Sequence, residues 1–205
     1  MFRDRTEAGR ILADRIARPA GRCTVTGIAR GGIITARPVA EILGCELTTI
    51  IVKKIGHPDD PEFAIGAVAE GMERRPYLNS FSSGIDRETV QYAVSRLMDE
   101  IGELRRTLGS ANSVFNGRWD NVIVVDDGSA TGTTVVAAVR SIKINVTKNV
   151  LVAVPVISED AFDLIRSEGV DIVYVDMPYD FEAVSEFYSD FREVSVDDIR
   201  SMLYG

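Results

Sequence analysis

The second half of the chain alternates near-continuous apolar runs with segments of helical period, and that alternation narrows the fold more than any other feature. Residues 122–125, 150–156 and 172–175 are dominated by Val and Ile, and residues 133–142 and 159–167 between them carry helical patterning. Strands that are apolar on both faces and separated by helices belong to a parallel sheet covered on both sides. The expected class is therefore α/β, with a parallel sheet of about five strands flanked by helices. Right-handed crossovers place the ligand-bearing loops beyond the carboxyl ends of the strands, so the loops after the strands are the ones to read.

The first half supplies the remaining elements. Residues 4–18 put Ala8, Ile11, Leu12 and Ile16 on one helical face. A short strand at 25–28 runs into Ala29-Arg30-Gly31-Gly32, then a helix at 33–43 stops at Gly44, and a β-branched run at 47–52 reads as a buried strand. Between 53 and 83 the pattern breaks at Gly56, Pro58, Pro61, Gly66, Gly71 and Pro76, while 64–68 and 77–78 are suited to pair as a hairpin. Asp86 is the expected N-cap of a helix reaching Leu108. Its apolar face is Val90, Ala93, Val94, Leu97, Met98, Ile101, Leu104 and Leu108. The excursion interrupts the alternation without starting a separate unit, so residues 1–205 are expected to form one domain.

Composition excludes some partners. A formal net charge of −8 argues against nucleic acid and anionic membrane surfaces. The longest apolar run, 150–157, is far too short to span a bilayer. Cys23 and Cys45 have no metal-ligand spacing and are too few for a disulfide framework, so two reduced thiols in a cytoplasmic protein are expected.

Chemistry concentrates in VIVVDDGSATGTT, residues 122–134. A buried strand ends in two adjacent carboxylates, Asp126 and Asp127. Gly128 and Gly132 let the chain turn tightly, and Ser129, Thr131, Thr133 and Thr134 add hydroxyls where the next helix begins. Acceptors for sugar hydroxyls are thus followed by amide and hydroxyl donors for one phosphate. A Walker loop would need a Lys where Thr133 stands, and a dinucleotide fingerprint would need G-x-G-x-x-G. A phospho-acceptor aspartate would leave the Gly/Thr-rich turn unexplained.

This segment resembles the 5-phosphoribosyl 1-pyrophosphate (PRPP) signature of type I phosphoribosyltransferases. FRDRTEAGR, GIARGG, KKIG, PEFAIGAVAEG and FEAVSEFYSDFREVS extend the resemblance to one branch of these enzymes over nearly the whole chain. That branch usually reads PRGG where this chain has Ala29 before Arg30-Gly31-Gly32. The resemblance implies a Rossmann-like type I fold with a hairpin and hood. It also implies Mg²⁺-dependent transfer of the phosphoribosyl group from PRPP to a nitrogenous acceptor, with pyrophosphate released. Asp126 and Asp127 would meet the ribose hydroxyls, and Mg²⁺ only indirectly. Gly128, Ser129, Ala130, Thr131, Gly132, Thr133 and Thr134 would hold the 5′-phosphate.

Arg30, Gly31, Gly32 and Lys53 are then candidates for pyrophosphate, and Arg30 and Lys54 join the two aspartates as candidate catalytic residues. Lys53 and Lys54 read equally well as a solvated strand end. His57, the single histidine, reads as an exposed loop residue. Residues 53–83 have the composition of a mobile lid. The aromatics Tyr179, Phe181, Phe187, Tyr188 and Phe191 read as packing, and the resemblance puts Tyr179 and Phe181 in a hood over the acceptor. A homodimer is the usual expectation. A PRPP- or nucleotide-sensing regulator, and a relative binding another phosphorylated sugar, are the competing readings. The missing DNA-reading helix pair and basic stripe weigh against the regulator.

Overall fold

The computed structural model describes residues 1–72 and 75–204; residues 73 and 74 of the expected excursion lie outside the described residues. A seven-stranded sheet runs in the order β4-β3-β2-β1-β5-β6-β7. Five strands are mutually parallel: β1 (Cys23–Ala29), β2 (Glu46–His57), β5 (Asn121–Val125), β6 (Val150–Val156) and β7 (Asp171–Asp176). They form the expected parallel core. The strand count rises to seven because β3 (Asp60–Ala69) and β4 (Tyr77–Leu78) add antiparallel at one edge. The sheet is therefore mixed. The hairpin between 64–68 and 77–78 is present, with Gly66 opposite Leu78 and Ala67 opposite Tyr77.

The helices are α1 (Arg5–Ala13), α2 (Gly31–Leu43), α3 (Arg87–Leu108), α4 (Thr133–Asn145) and α5 (Glu159–Arg166); α1 is shorter than the expected 4–18, with Ile11 exposed and Ile16 buried beyond its end. Asp86 caps α3, its side chain accepting from Thr89 N. Val90, Val94, Ile101 and Leu108 carry the fully buried part of its stripe, and Ala93, Leu97, Met98 and Leu104 are half-buried beside them. A last helix, α6 (Val196–Tyr204), lies where no helix was expected. It anchors through Ile199, which is fully buried, and the Tyr204 hydroxyl, which donates to Leu108 O.

β5 and β6 are apolar and buried almost throughout, as a central parallel sheet requires. One packing layer joins α1 and α2 to the sheet through Leu12, Val25, Ala36, Val39, Ile123 and Val125. The other joins α3 and α4 to the opposite face. A third cluster, around Phe2, Ala8, Val156 and Tyr188, ties the two ends of the chain together. Phe2 N donates to Phe187 O, and Ser189 N and Asp190 N donate to Phe2 O and Arg3 O.

One expectation is overturned. Cys23 and Cys45 are joined by a disulfide and are not free thiols. Strands β1 and β2 pair in parallel with Thr24 opposite Glu46, so the residue before each falls at the same level. That register brings the two Cα atoms to 5.1 Å, within the range a disulfide spans. A separation of 22 residues across an intervening helix gives no hint of this in sequence. Among the described residues, no helix is long and apolar enough to cross a membrane.

Candidate functional site

A cleft of about 390 Å³ opens at the carboxyl ends of β1, β2 and β5. Asp126 through Gly132 and Thr134 form its floor and one wall, Lys53 and Lys54 contribute from β2, and Val184 and Phe191 close it from the C-terminal segment. Larger cavities lie between α3 and α4 and beside α3, away from these residues. Size alone does not mark the site, and the convergence of charged groups at strand ends does.

The loop after β5 is tied down near its start, ahead of the turn into α4. Ser129 N donates to Val156 O at 2.9 Å, Ser158 N donates to Ser129 O at 3.0 Å, and the Ser158 hydroxyl donates to Ala130 O at 2.6 Å. These bonds pin residues 129–130 to the end of β6. Gly132 has φ +72°, the left-handed conformation that disfavours any residue with a Cβ, and it opens α4 with no side-chain cap. The first-turn amides of α4, which lack intrahelical partners, face the same cleft as the Thr134 side chain and suit an anion.

The helix caps make a telling contrast. Asp4, Asp86 and Ser158 cap α1, α3 and α5 with their side chains, and Ser195 does the same for α6, accepting from Asp198 N. Among the described residues, only α2 and α4 begin without a side-chain cap. Both start beside the carboxylate pair. The cis peptide Ala29–Arg30 leads into α2. A Cβ on Gly32 would lie 2.7 Å from Val125 O and 2.8 Å from Asp126 Oδ1. One on Gly31 would collide with Asp127 Oδ2 and stand 3.1 Å from Arg5 Nε. Side chains are excluded at both positions, so the backbone of Gly31 and Gly32 lies directly against the acids.

The two acids differ in their surroundings. Burial first, and the neighbouring Asp127 charge second, push the Asp126 carboxyl well above the usual carboxylate range, while Lys54 and Arg5 pull it back. Asp126 Oδ1 accepts from Asp127 N at 2.9 Å. Burial also raises Asp127, but Arg5 opposes it through charge and a hydrogen bond, Nε to Oδ2 at 2.7 Å. The Tyr188 hydroxyl donates to Asp127 O at 2.5 Å, and burial pushes that phenol's pKa upward.

The structure brings together Asp126, Asp127, Gly128–Gly132, Thr134, Lys53 and Lys54 in one cleft, with Gly31 and Gly32 against its acids. Thr133 is buried and accepts from the Thr131 hydroxyl at 3.2 Å. Lys53 lines the cleft, but its Nζ donates to Glu100 on α3 at 3.1 Å. Arg30 stands at the rim, bonded to Glu193 at 3.1 Å. Phe181 packs on Phe187 with ring centroids 5.0 Å apart, whereas Tyr179, beyond β7, is 98% exposed. His57 lies at the tip of the β2–β3 hairpin, its Nδ1 accepting from Asp59 N. Sequence reasoning missed Arg5, Tyr188 and Phe191, which reach the site only through the joining of the chain ends.

This geometry has close relatives. Two curated Mycobacterium tuberculosis proteins, "Putative phosphoribosyl transferase MT0597" of strain CDC 1551 and "Putative phosphoribosyl transferase Rv0571c" of strain H37Rv, are each 31% identical over 99% of this chain. The chain spans about half the length of these relatives, 46% of each. The crystal structure of TT1426 from Thermus thermophilus is 34% identical, covers 98% of this chain and 97% of its own, and superposes with a TM-score of 0.79. Residues 5–191 match the family described as the phosphoribosyl transferase domain, and the chain belongs to that family, with the type I fold.

Proposed function

We propose that the chain is a phosphoribosyltransferase that moves the 5-phosphoribosyl group from PRPP to a nitrogenous acceptor, a nucleobase or related small molecule, and releases pyrophosphate. One observation supports this reading above all: a pair of carboxylates in one cleft has the α2 start against it and the α4 start beside it, both uncapped. PRPP has the matching form, a phosphate at one end, a pyrophosphate at the other and a diol between.

In this reading the α4 start, residues 128–134, takes the 5′-phosphate, and Asp126 and Asp127 accept from the ribose hydroxyls. The amides of Gly31 and Gly32 with Arg30 and Lys53 take the pyrophosphate. The exchange requires Arg30 to leave Glu193 and Lys53 to leave Glu100, both partly exposed pairs that hold weakly. Lys54 places positive charge near Asp126. As the C1–O bond lengthens, positive charge grows on the ribose and negative charge on the departing pyrophosphate. The carboxylates stabilise the first and the amides and cations the second, so catalysis is positioning and electrostatics.

Among the described residues no cluster of three or more His, Cys, Asp or Glu stands ready for a metal. The donor set here is two adjacent carboxylates, which would suit Mg²⁺ arriving with PRPP, and Asp126 and Asp127 would hold it indirectly. When bound, Mg²⁺ supplies charge neutralisation for the leaving group. Tyr179, with its ring free, is the better candidate to stack on an acceptor. Phe181 supports that segment through Phe187. The test is pyrophosphate release from PRPP across a panel of purine, pyrimidine, nicotinate-like and amine acceptors. Acceptor-dependent release supports the reading, and none from a folded chain that binds PRPP overturns the transferase.

A further inference from the structure

Arg5 is the first residue of α1, yet it is buried, with only 8% of its side chain exposed. Its guanidinium is engaged through two nitrogens and one face. Nε donates to Asp127 Oδ2 at 2.7 Å, Nη1 donates to Arg192 O at 2.9 Å, and the group lies 3.7 Å from the centre of the Phe191 ring. Burying an arginine is costly, and an apolar side chain would pin a helix to the end of β5 at least as well. The arginine is therefore matched to Asp127 itself.

Its effect is orientation. With Oδ2 taken by Arg5, the Asp127 carboxylate cannot rotate without breaking a charged hydrogen bond. Among the described residues no other residue donates to its Oδ1, so that oxygen is the one left for a ligand. Tyr188 holds the same residue by its carbonyl, so both ends of the chain grip Asp127. The Gly31 backbone lies against the Arg5–Asp127 pair, which links the carboxylate to the loop assigned to pyrophosphate. We propose that Arg5 is a positioning residue for PRPP turnover, clamped by Asp127, the Arg192 carbonyl and the Phe191 ring so as to present one Asp127 oxygen to the ribose. This rests on the reading of Asp127 as a ribose acceptor.

The test is a double-mutant cycle read by calorimetric PRPP binding in Mg²⁺, with thermal melts beside it. Arg5→Gln and Asp127→Asn should each weaken PRPP binding by about 10- to 100-fold, the range of a lost charged hydrogen bond. The double variant should be no weaker than Asp127→Asn alone, because Arg5 acts through that carboxylate. Arg5→Lys keeps the charge but cannot reach both Asp127 and Arg192 O, and should restore part of the affinity. It carries the same cycle should Arg5→Gln fail to fold. Losses that multiply, or an Arg5 variant that melts lower while binding PRPP normally, overturn the proposal and leave the site reading intact. A folded wild-type chain that binds no PRPP removes the site reading, and this proposal with it.

Discussion

Replacing Gly32 with alanine tests how tightly the α2 start is fitted to the acids. The added Cβ would lie 2.7 Å from Val125 O, 2.8 Å from Asp126 Oδ1 and 2.9 Å from Asp126 Cα. Two of these atoms are backbone at the end of a central strand, so no side-chain rotation relieves the overlap. Ordinary contact begins near 3.4 Å, which leaves a shortfall of about 0.7 Å at Val125 O. Overpacking of this kind costs about 1–3 kcal/mol, or roughly 2–12 °C in Tm for a chain of this length. The relief must move either the helix start or Asp126, and sub-ångström to 1 Å misplacement of catalytic groups costs on the order of 100-fold in rate. Gly32→Ala should therefore lower both Tm and PRPP affinity. Gly102→Ala, in α3 with open space around it, serves as the control and should match or exceed wild type in Tm. A Gly32→Ala chain with wild-type Tm and PRPP affinity would refute the argument that this backbone lies against the acids.

Three further outcomes follow from the same structure. Reducing Cys23–Cys45 opens a link across 22 residues, worth about 3 kcal/mol by chain entropy, so a melt in reductant should fall by roughly 6–12 °C. A thiol assay that finds two free cysteines in the unreduced protein would contradict the pairing. Because burial and Asp127 raise the Asp126 carboxyl, the folded chain keeps that proton to higher pH than the unfolded chain. Its contribution to stability is present below the ordinary carboxylate range and lost as pH rises through the folded value. Asp126→Asn, always neutral, should thus raise Tm more at neutral pH than in acid; an equal change at both would count against it. Away from the cleft, Arg105 and Glu70 form a largely buried pair at 2.6 Å, with Arg105 also donating to Thr49. Glu70→Met strands the arginine and should cost about 3–5 kcal/mol in denaturant unfolding. A loss under about 1 kcal/mol would mean the pair is effectively solvated.

How much of this was legible depended on whether a signal was local. Asp86 marks its own helix start through its side chain, and the α3 stripe repeats over six turns, so both are readable. The strand at 150–156 is apolar on both faces and follows the polar Lys148-Asn149, and its limits coincide with β6. By contrast β2 runs on through Lys53, Lys54 and Gly56, where it leaves the core for the edge hairpin and loses its apolar run. Helix α6 is short, with polar residues around a single buried Ile199. The carboxylates and the Gly/Thr turn were visible because one contiguous segment carries them. Arg5 was not, because it sits in a charged opening stretch and its partner is 122 residues away. The disulfide was hidden for the same reason: only the β1–β2 register brings its cysteines together.

The most direct test of the central claim is titration of PRPP into the protein by calorimetry, with and without Mg²⁺, beside Asp127→Asn. The account predicts saturable binding that strengthens with Mg²⁺ and is largely lost in a variant that still melts cooperatively. Binding unaffected by Asp127→Asn, or no binding by a folded wild-type chain, would contradict the assignment of this cleft to PRPP.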